Sequence, residues 1–129
     1  ALEFRHGSDA EIKRMQTDLL NLLDETAKEF GLKVTYEATP HVHPAPMSET
    51  VMGAIETASN KLNLTHGRML SFAGHDTQAM ASIVPSAMFF VPSVNGISHN
   101  PKEYTIDADC INGSNVMLHT LLELLETLK

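Results

Sequence analysis

The sequence predicts an α/β chain in two parts, a small α+β unit followed by an α/β layer. Three observations carry this expectation. Short alternating segments flank stretches with helical spacing of apolar residues. Three prolines, Pro40, Pro44 and Pro46, interrupt the pattern near residue 45. A wholly apolar run, Ala87-Met-Phe-Phe-Val91, then opens into a polar, glycine-containing loop, as in a strand covered on both faces.

In chain order, Ala1-Leu-Glu-Phe-Arg5 alternates like the end of a strand, and His6-Gly7-Ser8 turns into a helix. Ser8 and Glu11 have capping-box spacing, which lets hydroxyl and carboxylate satisfy first-turn amides. Ile12, Met15, Leu19, Leu22, Leu23, Ala27 and Phe30 form one apolar stripe, and Gly31 suits a left-handed helix end. Leu32, Val34 and Tyr36 alternate with polar residues as a half-buried strand does. Beyond the prolines, Ser48 caps a second helix that buries Val51, Met52, Ile55, Ala58 and Leu62. A short strand is expected at Arg68-Met69-Leu70, then a turn over 71–78 and a short helix reaching Ile83. The loop Pro92–Thr105 leads to a last helix from about Asp107 to Leu128. Its expected buried residues are Ile111, Leu118, Leu121, Leu122, Leu125 and Leu128.

Composition narrows the function. With 129 residues the chain makes one domain or two incomplete ones, and 43% hydrophobic residues with 19% charged ones describe a globular protein. Sixteen acids against nine Lys and Arg give a net charge of −7. No basic cluster offers a footprint for nucleic acid or an anionic membrane surface. A single cysteine, Cys110, excludes an internal disulfide framework and a Cys-based zinc site. No apolar run reaches membrane-span length and no signal-like leader opens the chain, so a cytoplasmic location is expected. The first residue is Ala, not Met, which suits a piece of a longer protein.

Two loops could carry chemistry. His99 lies in Gly96-Ile-Ser-His-Asn-Pro101, directly after the apolar run, where ligands collect in open α/β sheets. An imidazole held there suits zinc or manganese, or is a surface histidine in a turn. In Gly74-His75-Asp76, Asp76 is placed to cap the following helix. His75 either donates to a carbonyl or oxyanion, or is incidental to that cap. Arg5, at the end of a strand, pairs with a surface carboxylate or binds something else. His41-Val-His43 has no partnering carboxylate nearby and is taken as structural, His66 and His119 as surface residues, and Cys110 as a buried thiol. The seven methionines read as core packing. There is no phosphate loop, nucleophile elbow or HExxH pair.

Ser71-Phe-Ala-Gly-His-Asp-Thr-Gln78, followed by Met88-Phe-Phe-Val-Pro-Ser-Val-Asn-Gly-Ile-Ser-His-Asn-Pro-Lys-Glu103, resembles the carboxyl-terminal part of the amidase/hydantoinase/carbamoylase family. Phe4-Arg5-His6 resembles that family's strand ending in Asp-Ile-Arg-His. The resemblance implies a dimetal hydrolase acting on N-carbamoyl-L-amino acids, allantoate or related ureido acids. It implies an aminopeptidase-like α/β catalytic domain interrupted by an α+β lid that dimerises. Residues 1–45 then correspond to the closing β-α-β part of the lid, and 46–129 to the return into the catalytic domain. His99 falls on the last metal ligand, Gly74 and His75 on the substrate-contacting Gly-His, and Arg5 on the arginine that grips the substrate carboxylate.

Two departures accompany the resemblance. Phe72 stands where the family has glycine, and no part of this chain matches the other metal ligands or the catalytic glutamate, which precede the lid. A two-metal hydrolase needs those carboxylates to fix two divalent ions and activate water. The implied reading is therefore part of a C–N hydrolase, a homodimer through its lid, binding zinc or manganese and inactive as this chain alone. An allantoate amidohydrolase and a non-catalytic dimerising or binding remnant are the alternatives.

Overall fold

The computed structural model describes residues 2–39 and 42–127, with four α-helices and one 3-10 turn among them. The expected roles of Ala1, Pro40, His41 and Leu128 lie outside the described residues. The chain divides into two compact units. One comprises Ala1–Pro46 with Leu70–Gly74, the other Met47–Met69 with His75–Lys129.

The first unit is built on α1, Asp9–Phe30. Its carboxyl end is the expected glycine stop. Gly31 adopts φ 62°, ψ 31°; its N–H donates to Lys28 O, and the Leu32 N–H donates to Ala27 O at 2.8 Å. This is the Schellman arrangement, and it needs a residue that tolerates the left-handed region. The amino end corrects the sequence reading. Ser8 is the N-cap but its hydroxyl makes no capping bond, and Glu11 pairs instead with Arg14 at 2.9 Å. Arg14 also reaches Asp18 at 3.0 Å, so it bridges carboxylates on both sides along the helix. Of the apolar stripe, Ala27 is buried and Ile12, Met15, Leu19 and Leu23 are half-buried, while Leu22 and Phe30 are exposed.

The second unit centres on α2, Glu49–Lys61, packed against α4, Asp107–Thr127. Ser48 caps α2 as expected, its hydroxyl accepting from Val51 N, and the Ser48 N–H donates to Ser86 O at 2.8 Å. The packed faces are made of small residues. Ala54, Ala58 and Ser59 are buried on α2, and Gly113, Val116 and Thr120 on α4. Lys61 and Glu123 form an ion pair between the two helices. The expected burial of the α4 leucines is corrected: Ile111, Leu118, Leu121, Leu122 and Leu125 are all exposed. Helix α4 has two apolar faces, and among the described residues only the small one has a helix to pack on.

A third helix, α3, spans Asp76–Met80, and Val94–Gly96 forms the 3-10 turn. The strands expected at 1–5, 32–37, 68–70 and 87–91 do not form among the described residues, which hold helices, turns and irregular chain. A strand exists only as a pairing, and an isolated apolar or alternating segment has no ladder of its own. Arg68, expected in one of those strands, instead ties the chain after α2 back onto that helix. Its guanidinium holds Glu56 through Nε at 2.7 Å and Nη2 at 3.1 Å, and Glu49 through Nη1 at 2.8 Å.

This network gives a pH dependence of definite sign. The hydrogen bond from Arg68, helped by its charge, lowers the Glu56 carboxyl below its usual 4.5 against the opposing effect of desolvation. A depressed folded-state value means the contribution is complete above the unfolded value and lost as pH falls through the folded one. Arg68→Gln should therefore lower Tm at pH 7, and the gap to wild type should close as the pH is taken below that of Glu56. Thermal melts across that range check it; a gap independent of pH would show that Arg68 acts by packing alone.

Candidate functional site

His99 sits in a turn braced by several hydrogen bonds. Val94 N donates to Tyr104 O at 2.8 Å, which joins the two ends of the loop. Within it, Ser93 Oγ donates to Ile97 O at 2.5 Å, and Asn95 and Gly96 both take positive φ, 59° and 66°. Asn and Gly are the residues that accept this region at least cost. Farther along, the Asn100 side chain accepts from Lys102 N at 3.0 Å, and Glu103 N donates to Asn100 O at 2.9 Å. Pro101 occupies the turn position where its fixed φ is an advantage. His99 itself is left-handed, φ 56°, with its backbone N–H donating to the Glu103 carboxylate at 2.7 Å. The residue is exposed, and no hydrogen bond among the described residues engages its imidazole.

His75 is the N-cap of α3, with φ −137° and ψ 148°. Asp76, expected to be the cap, lies one position inside the helix, where its charge faces the helix amino end. The half-buried His75 ring lies against Phe90, centroids 5.6 Å apart and planes at 56°. Phe90 comes from the apolar run that leads to the His99 loop, so one segment serves both histidines.

Arg5 and the stretch before Gly74 belong to the first unit. Arg5 Nη1 donates to the Phe72 carbonyl, and Nε donates to Glu3 at 2.8 Å. The bland expectation of a surface carboxylate partner thus holds alongside a tie to the Ser71–Gly74 stretch. Phe72, the departure from the family pattern, is 54% exposed, so its ring fills no core position among the described residues. Gly74 would accept a Cβ without a contact inside 4 Å.

The remaining candidates sort differently from expectation. His43, without a carboxylate near it in sequence, meets Asp9 from the first turn of α1 at 2.8 Å. Cys110 is exposed on the first turn of α4, not buried, with Sγ 3.9 Å from Thr105 O. His66 is exposed as expected and its Nδ1 lies 3.1 Å from Leu64 O, whereas His119 is half-buried. Sequence reasoning does not single out Glu103 or Phe90, which the structure places beside His99 and His75. Glu103 had a signal available, a carboxylate four positions after the histidine within the recognised motif. Phe90 had none, since an aromatic residue in an apolar run reads as core. Among the described residues, no group of three His, Cys, Asp or Glu is gathered as a metal centre would require. The donor set fits one terminal ligand, the exposed imidazole of His99, and not a complete two-metal site.

Residues 3–123 match the model of the peptidase family M20/M25/M40. The chain is 30% identical over 123 residues to an allantoate amidohydrolase of Escherichia coli, a match covering 95% of this chain and 30% of that protein. It is 37% identical over 98 residues to an N-carbamoyl-L-amino acid amidohydrolase of Geobacillus stearothermophilus, covering 76% of this chain and 24% of that one. A crystal structure of an amidase of the hydantoinase/carbamoylase family from Burkholderia multivorans superposes with a TM-score of 0.87 at 31% identity, over 92% of this chain and 29% of its own. The family model spans nearly the whole chain, and the superposition covers 92% of it, so sequence and fold point to one family. The chain belongs to peptidase family M20/M25/M40, whose members generally bind divalent metal ions. It spans between 15% and 30% of the length of the curated relatives it matches.

Proposed function

We propose that this chain is the carboxyl-terminal part of a metal-dependent hydrolase that cleaves C–N bonds of N-carbamoyl-L-amino acids or related ureido acids. The observation that carries the reading is the Gly96–Glu103 turn. In a chain matching amidohydrolases over 95% and 76% of its length, it presents one exposed imidazole on a turn braced by backbone hydrogen bonds. Residues 1–45 are the closing part of a lid through which two copies pair, and residues from 46 onward belong to the catalytic domain.

His99 is a metal ligand in this reading. His99 would hold one divalent ion, zinc or manganese, and the chemistry such an ion would supply is activation of water and polarisation of the scissile carbonyl. His75, held at the start of α3 by its backbone and at its face by Phe90, donates a hydrogen bond to the oxygen on which charge develops. Gly74, lacking a side chain, leaves the backbone beside it open to the substrate. Arg5 grips the substrate carboxylate with its planar fork, exchanging Glu3 for it.

The test is ammonia release by the intact protein loaded with manganese or zinc, given N-carbamoyl-L-amino acids, allantoate and amide analogues lacking the carboxylate. Turnover of a carboxylate substrate is expected, and which of the two is faster assigns the substrate. Arg5→Lys should raise KM for that substrate by about tenfold or more, the worth of one charge-assisted hydrogen bond, and leave the amide analogue unchanged. A metal-loaded intact protein inert towards all of them would favour a dimerising or binding remnant.

A further inference from the structure

We infer that Glu103 is a positioning residue for His99, fixing the direction of its imidazole through the backbone and not through the ring. The inference rests on the reading of His99 as a ligand. His99 is one of three residues other than glycine with positive φ among the described residues, and the others, Asn63 and Asn95, are asparagines. Asparagine enters the left-handed region readily because its short polar side chain bonds locally, whereas a bulkier ring needs the surroundings to hold it there.

The turn supplies those surroundings. The only backbone donor of His99 is taken by Glu103 Oε2 at 2.7 Å, a charge-assisted bond. Glu103 is itself fixed by its own N–H on Asn100 O, so carboxylate and amide close the turn from opposite sides. Asn100 Oδ1 takes the Lys102 N–H, which keeps the chain between them in register. Removing the carboxylate removes the one partner that rewards positive φ at His99, and a change of φ swings the whole side chain. Glu103 Oε2 accepts the backbone amide of His99, and through that bond it orients the ligand.

Second-sphere partners of this kind typically govern about 10–100-fold in metal affinity. In the intact protein, Glu103→Ala should weaken binding of Mn2+, read by chelator competition, by about that factor. Glu103→Gln keeps an oxygen that accepts the same amide and should stay within about threefold of wild type. Crystal structures of the two variants should show positive φ at His99 retained with Gln and relaxed with Ala, with circular dichroism unchanged in both. Mn2+ binding by Glu103→Ala as tight as wild type, or equal losses in the Ala and Gln variants, would overturn the inference. His99→Ala separates the two levels. If it loses Mn2+ while Glu103→Ala does not, only the positioning role falls; if it holds Mn2+ as wild type does, the ligand reading falls as well.

Discussion

His99→Ala in the intact protein is expected to lower metal content and activity together, with added zinc or manganese restoring part of both. The imidazole is exposed on a loop that hydrogen bonds fix at Val94, Ile97, Asn100 and Glu103, so removing the proposed ligand should leave the turn folded. The loss in affinity should exceed the roughly 10–100-fold of an outer-sphere change, because a direct bond to the ion is deleted. A general base behaves otherwise: its removal leaves a fully loaded, slow enzyme. Metal analysis after dialysis, paired with the ammonia assay, distinguishes them. Full occupancy in an inactive His99→Ala protein would refute the ligand assignment.

The second large effect is structural and lies beneath the site. Gly113 is buried in the middle of α4, where glycine costs about 1 kcal/mol of helix propensity relative to alanine. Close approach explains its presence, because a Cβ there would stand 2.5 Å from Val91 Cγ1 and 3.8 Å from Phe89 Cε2. Valine is branched at Cβ and cannot fold its methyl away, so the helix and the apolar run would have to separate. Overpacking typically costs about 1–3 kcal/mol, which outweighs the gain in propensity. Gly113→Ala should therefore lower the urea midpoint, and Gly113→Val should lower it further. Combining Gly113→Ala with Val91→Ala should recover most of the loss. If Gly113→Ala alone raises the midpoint, as at an open helical glycine, the close-packing argument is wrong. The consequence reaches the proposed site, since the run that rests on Gly113 carries Phe90 against His75 and leads into the His99 loop.

What could be read from the sequence were features with a local cause. The glycine stop of α1 depends on one residue's freedom at positive φ, and the Ser48 cap on one hydroxyl three residues from its amide; both are present. The Ser8 box failed for an equally local reason, since Glu11 had a competing partner in Arg14 one turn away. Spacing alone does not rank a capping bond against an ion pair.

Four helices, the glycine end of α1, the serine start of α2 and a histidine in a loop of turn-forming residues after an apolar run were legible in the sequence, whereas α3 stops at Met80, short of the expected Ile83. Only the tertiary structure decided which side of α4 is buried. Periodicity marks an apolar face but does not say what meets it. Here Gly113, Val116 and Thr120 are buried, Gly113 beside Val91 and Phe89, while Leu118, Leu121, Leu122 and Leu125 stay exposed. The same holds for the expected strands, which need neighbours to become a sheet, and for His43, whose Asp9 partner is 34 positions away. It holds too for His99: its place was legible, but the left-handed backbone and the carboxylate holding it exist only once the turn has closed. Contacts between segments distant in the chain, and the backbone geometry they enforce, are properties of packing, and no pattern within one segment encodes them.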